Sequence, residues 1–247
     1  MKKFFALLAC AALCVCACDK KNDPDNGGKN NGGDANYDAP IVLDGNFEDW
    51  AAIEDKVQVV RCAESTSKKD LKQAKVYADK YYVYVYVEFD LSDYDGLSGV
   101  SDAHLHFYIN GDNDTSTGGY KGAFDQGETP CIDVMTEGDV IAGGAVCEYY
   151  DPTVFTWEGP ANYMDWSDDY WVEAETTGFV EGKGTAKAWE FKITRELYPV
   201  GKLAKEFTMG IDLLVNGWDA TGALPNAEAD ETNTAGEAPL LLVKLNK

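Results

Sequence analysis

Residues 81–89 read YYVYVYVEF, a strict alternation. Val83, Val85, Val87 and Phe89 fall on one side, and Tyr82, Tyr84, Tyr86 and Glu88 on the other. A period of two belongs to an extended strand, whose successive side chains point to opposite faces, and it gives no single apolar stripe to a helix. The same period returns in 103–110, where Leu105, Phe107 and Ile109 oppose His104, His106 and Tyr108. It returns again in 207–215, gathering Phe207, Met209, Ile211, Leu213 and Val215, and in 183–193, gathering Trp189, Phe191 and Ile193. Residues 57–62, 75–79 and 240–245 also fit strands. Residues 131–136 and 140–149 read as the arms of a hairpin turning at Glu137-Gly138-Asp139. Only Thr194 to Tyr198 has the look of a helical turn, and Pro199 stops it. Strands with one apolar face bury it by packing two sheets together. The expected fold is therefore all-β, a two-sheet antiparallel β-sandwich of jelly-roll-like form.

The chain opens in a different idiom. Met1-Lys2-Lys3 is basic, Phe4 to Ala17 carries no charge, and Cys18 is followed at once by Asp19-Lys20-Lys21. This is the layout of a secretory signal, and the apolar run is shorter than the ~20 residues a spanning helix needs. Val15-Cys16-Ala17-Cys18 resembles a bacterial lipobox, although Cys16 is unusual at its position. That resemblance implies lipid chains on Cys18 and an outer-membrane anchor, with the domain facing the cell exterior. The alternative is an ordinary secreted protein cut nearby. Residues 19–38 are rich in Asn, Gly and Asp and hold no aliphatic side chain larger than Ala35. Such a segment buries too little apolar surface to offset its ordering entropy, so a disordered tether is expected. The organisation expected is thus a signal over 1–18, a tether over 19–38 and one domain over 39–247.

With 21 basic and 43 acidic residues the formal net charge is −22. That balance repels phosphate backbones and argues against nucleic acid as a partner. It serves solubility, and a few Asp clusters within it are candidates for divalent cations. Once Cys10, Cys14 and Cys16 leave with the signal and Cys18 takes lipid, Cys62, Cys131 and Cys147 remain. An odd count leaves at least one thiol unpaired, and Cys131 with Cys147, which flank the expected hairpin, is the candidate pair. Buried free cysteines are the alternative.

Several phrases occur in a telling order. Ile41-Val42-Leu43-Asp44-Gly45-Asn46-Phe47-Glu48-Asp49-Trp50 begins the domain. Lys75 to Asp79 and the Tyr/Val strand follow, then Phe107 to Asp114 with Thr117-Gly118, then Trp189 to Ile193 and Met209 to Asp212. Taken together they resemble the carbohydrate-binding module family 9-like sandwiches of the wider DOMON-like group, over most of 39–247. The resemblance implies a β-sandwich that binds sugar, and in some DOMON-like members haem. In the opening phrase Gly45 permits a turn, Asp44 can bond local backbone amides, and Trp50 reads as core packing.

Asn110, Asp112 and Asp114 crowd one loop, with Asp125 beyond it. Hard cations take six to eight oxygen ligands, so calcium is one reading of these four residues, and a polar loop of Asx turns is the other. The family resemblance implies a structural calcium near this loop, although Asn110 stands where an Asp is usual. For a glycan, the candidate rings are Trp157, Tyr163, Trp166 and Trp171, in a stretch taken as one long loop from Asp151 to Trp171. Aromatic faces suit the apolar faces of sugars, and Asp165, Asp168 and Asp169 suit their hydroxyls. The alternative is an aromatic plug at one end of the sandwich. The Tyr82/Tyr84/Tyr86 and His104/His106/Tyr108 faces, if side by side in one sheet, form a second candidate surface. Haem would need His104 or His106 with Met135, Met164 or Met209 as axial ligands. Neither a Gly-x-Ser-x-Gly nor an HExxH motif occurs, and no carboxylate pair singles itself out for catalysis. The expected function is non-catalytic binding of a glycan by a membrane-anchored lipoprotein. The alternatives are a surface assembly or protein-interaction sandwich and, third, a haem binder.

Overall fold

The computed structural model describes residues 37–125, 127 and 129–246. The expected signal, Cys18 and the tether up to residue 36 lie outside the described residues. Among the described residues short 3-10 turns include Arg195–Leu197, within the turn expected over Thr194 to Tyr198, and thirteen strands follow one short α-helix, α1 (Asp49–Ala52). They are β1 (Gln58–Arg61), β2 (Leu71–Ala78), β3 (Tyr82–Phe89), β4 (Asp102–Asn110), β5 (Val134–Ala142), β6 (Ala145–Val146) and β7 (Thr153–Trp157). β8 (Trp171–Glu173), β9 (Val180–Gly184), β10 (Ala188–Thr194), β11 (Glu206–Val215), β12 (Ala220–Leu224) and β13 (Leu241–Lys244) complete them. Every pairing is antiparallel. One sheet has five strands in the order β1-β2-β3-β10-β9. The other has eight, with the path β12-β11-β4-β5-β7-β8, β13 added on β11 and β6 on β5. The chain is an all-β two-sheet sandwich, as the alternation requires.

The inward faces are those the period of two selects. Val83, Val85 and Val87 from β3 and Phe191 and Ile193 from β10 meet Leu105, Phe107 and Ile109 from β4 and Phe207, Leu213 and Val215 from β11 in one core. Phe107 and Phe191 cross the interface edge to face, with ring centroids 5.0 Å apart, and Tyr150 meets Phe191 at 5.1 Å. Full burial of a Phe side chain contributes up to about 3 kcal/mol, and such ring pairs add ~1 kcal/mol.

The outward face of the five-stranded sheet is covered by the opening phrase. Ile41, Trp50 and Ile53 pack on Tyr82 and Tyr84, with Phe47 against Tyr86. Glu190, fully buried on the outward side of β10, ties this strap down. Its carboxylate accepts from the Asp44 and Gly45 amides at 2.9 and 2.8 Å and from the Trp50 indole at 3.3 Å. Gly45 has φ +80, open to glycine at little cost. Burial pushes the Glu190 carboxyl above its ordinary range, against the pull of those donors. Asp44 in turn accepts from the Asn46 amide, an Asx turn.

Several expectations are corrected. Tyr37 belongs to the domain rather than the tether: its ring packs on Tyr81 and Tyr82, and its hydroxyl donates to Asp79 at 2.5 Å. Glu137-Gly138-Asp139 is no turn but the middle of β5. Gly138 is required by the Tyr150 ring, which a Cβ there would approach to 2.6 Å. The chain turns instead at Gly143-Gly144, both at positive φ (58 and 76), between paired Ala142 and Ala145. That is the backbone a tight hairpin favours. Straightening β5 also separates Cys131, which precedes it, from Cys147, which lies past its far end, and no disulfide joins the described residues. Residues 183–193 are two strands, β9 and β10, joined at 185–187. The stretch 151–171 is not one loop, since β7 and the start of β8 lie within it. Finally, the Tyr82/Tyr84/Tyr86 face and the His104/His106/Tyr108 face belong to different sheets and point in opposite directions, so they form no common surface.

Candidate functional site

The outward face of the eight-stranded sheet is partly covered. Tyr120, Phe124 and Ile132, from the stretch after β4, pack on it with Met135 and Trp171 as a second apolar cluster. Phe124 also packs on Tyr108 of β4 and Ala223 of β12, and beside it a groove of about 820 Å³ is lined by residues of β4, β5, β7, β11 and β12 and of the covering loops. Such a volume suits a small-molecule or oligosaccharide ligand.

The register of β11, β4 and β5 builds the floor. Asp212 pairs with His106 and His106 with Glu137, so acid, imidazole and acid stand in one cross-strand row. Tyr108 occupies the row on one side of it and His104 the row on the other. His106 is 3% exposed. Its Nδ1 lies 3.1 Å from an Asp212 carboxylate oxygen and 3.0 Å from the Tyr108 hydroxyl. Its Nε2 is 3.8 Å from Glu137, beyond hydrogen-bond reach, and has no hydrogen-bond partner. Burial alone disfavours the imidazolium, but Asp212 and Glu137 outweigh it and raise the His106 pKa. Burial, with Asp212 second, pushes the Tyr108 hydroxyl well up and that of Tyr120 to about 12. Both hydroxyls are therefore neutral donors near neutral pH.

Aromatic rings make the walls. Trp166, 47% exposed, stands edge to face with Tyr120 at 5.5 Å and donates its indole N–H to Asp168 at 2.6 Å. Its loop is pinned by the Tyr120 amide to the Tyr163 carbonyl at 2.6 Å and by the Lys121 amide to the Met164 carbonyl at 3.1 Å. Tyr120 has φ +57, a left-handed conformation costly for an aromatic residue, which places its ring under this wall. Across the groove Trp218 projects from the β11–β12 turn at 68% exposure. It stacks flat on His104, 4.7 Å between centroids at 3°. His104 is itself held by Asp139 at 2.5 Å and Asp102 at 3.4 Å, so the carboxylates orient the imidazole and the imidazole orients the indole.

The four candidate rings divide. Trp166 and Trp171 line the groove. Trp157 and Tyr163 do not; they stack on each other at 6.2 Å and, with Tyr170, plug the end of the sheet. The Trp157 ring lies so close to Gly119 that a Cβ there would come within 2.3 Å. Asp212, Glu137, Phe155, Tyr120 and Trp218 line the groove although nothing singled them out in the sequence. Asp212 had a signal, a carboxylate alone between Ile211 and Leu213 in an apolar strand. Trp218 had another, an indole in a short Asn-Gly-Trp-Asp turn.

The residues weighed for calcium do not converge. Asn110 is buried at the end of β4. Asp112, Asp114 and Asp125 each accept from a backbone amide two residues on, as Asx turns do. Among the described residues no group of three or more His, Cys, Asp or Glu is placed to hold a metal ion. Beside Asp112 stands Asp133, which shares the Thr117 hydroxyl with it and accepts from the Gly111 amide at 3.0 Å. Burial, and then Asp112, raises the Asp133 pKa to about 6. A carboxyl raised on folding adds stability below its unfolded pKa of ~4 and loses it as pH rises through about 6. In calcium-free buffer Asp133→Asn is therefore expected to stabilise the protein by about 1–2 kcal/mol at pH ~7.5 and to change little near pH ~4. Urea unfolding at the two pH values checks this.

For haem, Met209 faces the inner core while His104 and His106 face outward, so those pairings do not form. Met164 is in the exposed wall loop, and Met135 is on the same face as His106. No helix among the described residues is long and apolar enough to cross a membrane. Comparison with protein-family models, with curated proteins and with solved structures finds no match.

Proposed function

We propose that this chain is a non-catalytic carbohydrate-binding lipoprotein, anchored through Cys18 in the outer membrane and turned to the cell exterior. The observation that carries the reading is the groove. Two exposed indoles, Trp166 and Trp218, flank a floor that offers both donors and acceptors, and they present flat apolar faces where a sugar ring has its own. The family 9-like phrases of the sequence point the same way. A glycan array on the purified full chain tests it, since retention of at least one glycan is expected and an empty array removes the reading.

The second reading, a protein-interaction sandwich without a glycan ligand, draws on the same exposed rings. Trp218 at 68% exposure is an anchor of the kind interfaces use. Loss of self-association or partner capture in Trp218→Ala, with an empty glycan array, favours it. Calcium belongs to the proposal as a stabilising ion beside Asp112, where Asp133 rather than Asp114 or Asp125 would be its second carboxylate. There it would offset the Asp112 repulsion that, after burial, raises the Asp133 pKa.

For the anchor, Cys18→Ser is expected to move the protein from the membrane to the soluble fraction and to abolish labelling by radioactive palmitate. A membrane-bound, unlabelled wild type would refute lipidation.

A further inference from the structure

The groove carries a charge pattern that selects among sugars, an inference that rests on reading it as the glycan site. Its lining holds the carboxylates of Glu137, Asp168, Asp212 and Asp219. Against them stand Lys68, which is itself 3.7 Å from Glu237, and His106. His106 lies sunken in the floor between Asp212 and Glu137, so even a protonated imidazole offsets one of the two flanking carboxylates and not both. Asp212 is 3% exposed, where solvent screens its field weakly. The two more exposed carboxylates, Asp168 and Asp219, sit beside the indoles of Trp166 and Trp218. A cation between the walls would thus meet negative ring faces and carboxylates together. The His106 Nε2, buried, without a hydrogen-bond partner and on the groove floor, marks the place where a ligand hydroxyl is bonded.

We propose that the groove takes sugars bearing a free ammonium group, holding the ammonium between the indole walls and the Asp168 and Asp219 carboxylates and a hydroxyl at His106 and Glu137. A neutral sugar keeps the stacking and the hydroxyl bonds but lacks the charge attraction. A uronate or sulfated sugar sets a second anion against Asp212 and Glu137, in a chain whose net charge is already −22.

The test is titration of the full chain with a glucosamine disaccharide, its N-acetylated counterpart and a galacturonate disaccharide, each at low and high salt. The glucosamine disaccharide is expected to bind about tenfold tighter than the N-acetylated one at low salt, and the galacturonate weakest. The advantage should shrink at high salt and in Asp168→Asn with Asp219→Asn. Both residues are exposed, so this double variant leaves the fold intact. If the N-acetylated or galacturonate sugar binds as well as the glucosamine one, the charge selection is wrong while the glycan reading stands. If none of the three binds but the array retains another glycan, the selection is again wrong. If no glycan binds at all, both fall.

Discussion

Glu190→Ala is expected to lower the melting temperature by about 10 °C. The substitution leaves the half-buried Asp44 and Gly45 amides and the buried Trp50 indole N–H without their acceptor. A buried donor left unsatisfied costs ~1–3 kcal/mol, and three sharing one acceptor together cost about 3–4 kcal/mol. In a domain of this size each kcal/mol moves the midpoint by roughly 2–4 °C. Glu190→Gln separates the acceptor from the charge. Its amide oxygen still serves the two backbone N–H groups, while its NH₂ faces the indole N–H, so roughly half the loss is expected. Calorimetry on both variants checks the ranking, and an alanine variant melting within a degree or two of the wild type would show that the strap is held by its apolar contacts alone.

Removing both walls, Trp166→Ala with Trp218→Ala, is expected to weaken glycan binding by about 100-fold. A ring stacked on a ligand contributes on the order of 1–3 kcal/mol, and tenfold in affinity is about 1.4 kcal/mol. Both rings are largely exposed, so the melt should scarcely move. Trp157→Ala gives the opposite result. Its ring fills the space over Gly119, so stability falls by about 2–4 kcal/mol while binding per folded molecule holds. Unchanged affinity in the double variant would remove the groove as the glycan site.

The strands legible in the sequence were those with one apolar and one polar face. β3, β4 and β11 present such faces, and their inward residues all lie in the core. The strands that escaped notice, β7, β8 and β12, are short or lack that contrast: Thr153-Val-Phe-Thr-Trp157 carries large apolar groups on both sides because a loop covers its outer face. The hairpin was misplaced because Glu-Gly-Asp has the composition of a turn. Gly138 instead serves a neighbouring tyrosine, a demand made by a residue twelve positions on. The groove was half legible. Trp166 and Trp171 stood out by local density of rings, whereas Asp212, Glu137 and Trp218 come together only through the register of three strands and one turn. Local sequence does not encode that register. It depends on which face of each strand is buried, and one residue of slip would turn His106 into the core.

The strap over the five-stranded sheet also sets how the domain bears mechanical load. Residues 37–53 lie on one outer face of the sandwich and the groove opens on the other. A pull on the chain at Tyr37 is therefore met first by the Tyr37–Asp79 bond and the Glu190 anchorage, with the whole core between it and the binding floor. The strap's contacts and the Asp212, His106 and Glu137 row share no residue, so the first segment to yield under tension is a fuse separate from the groove.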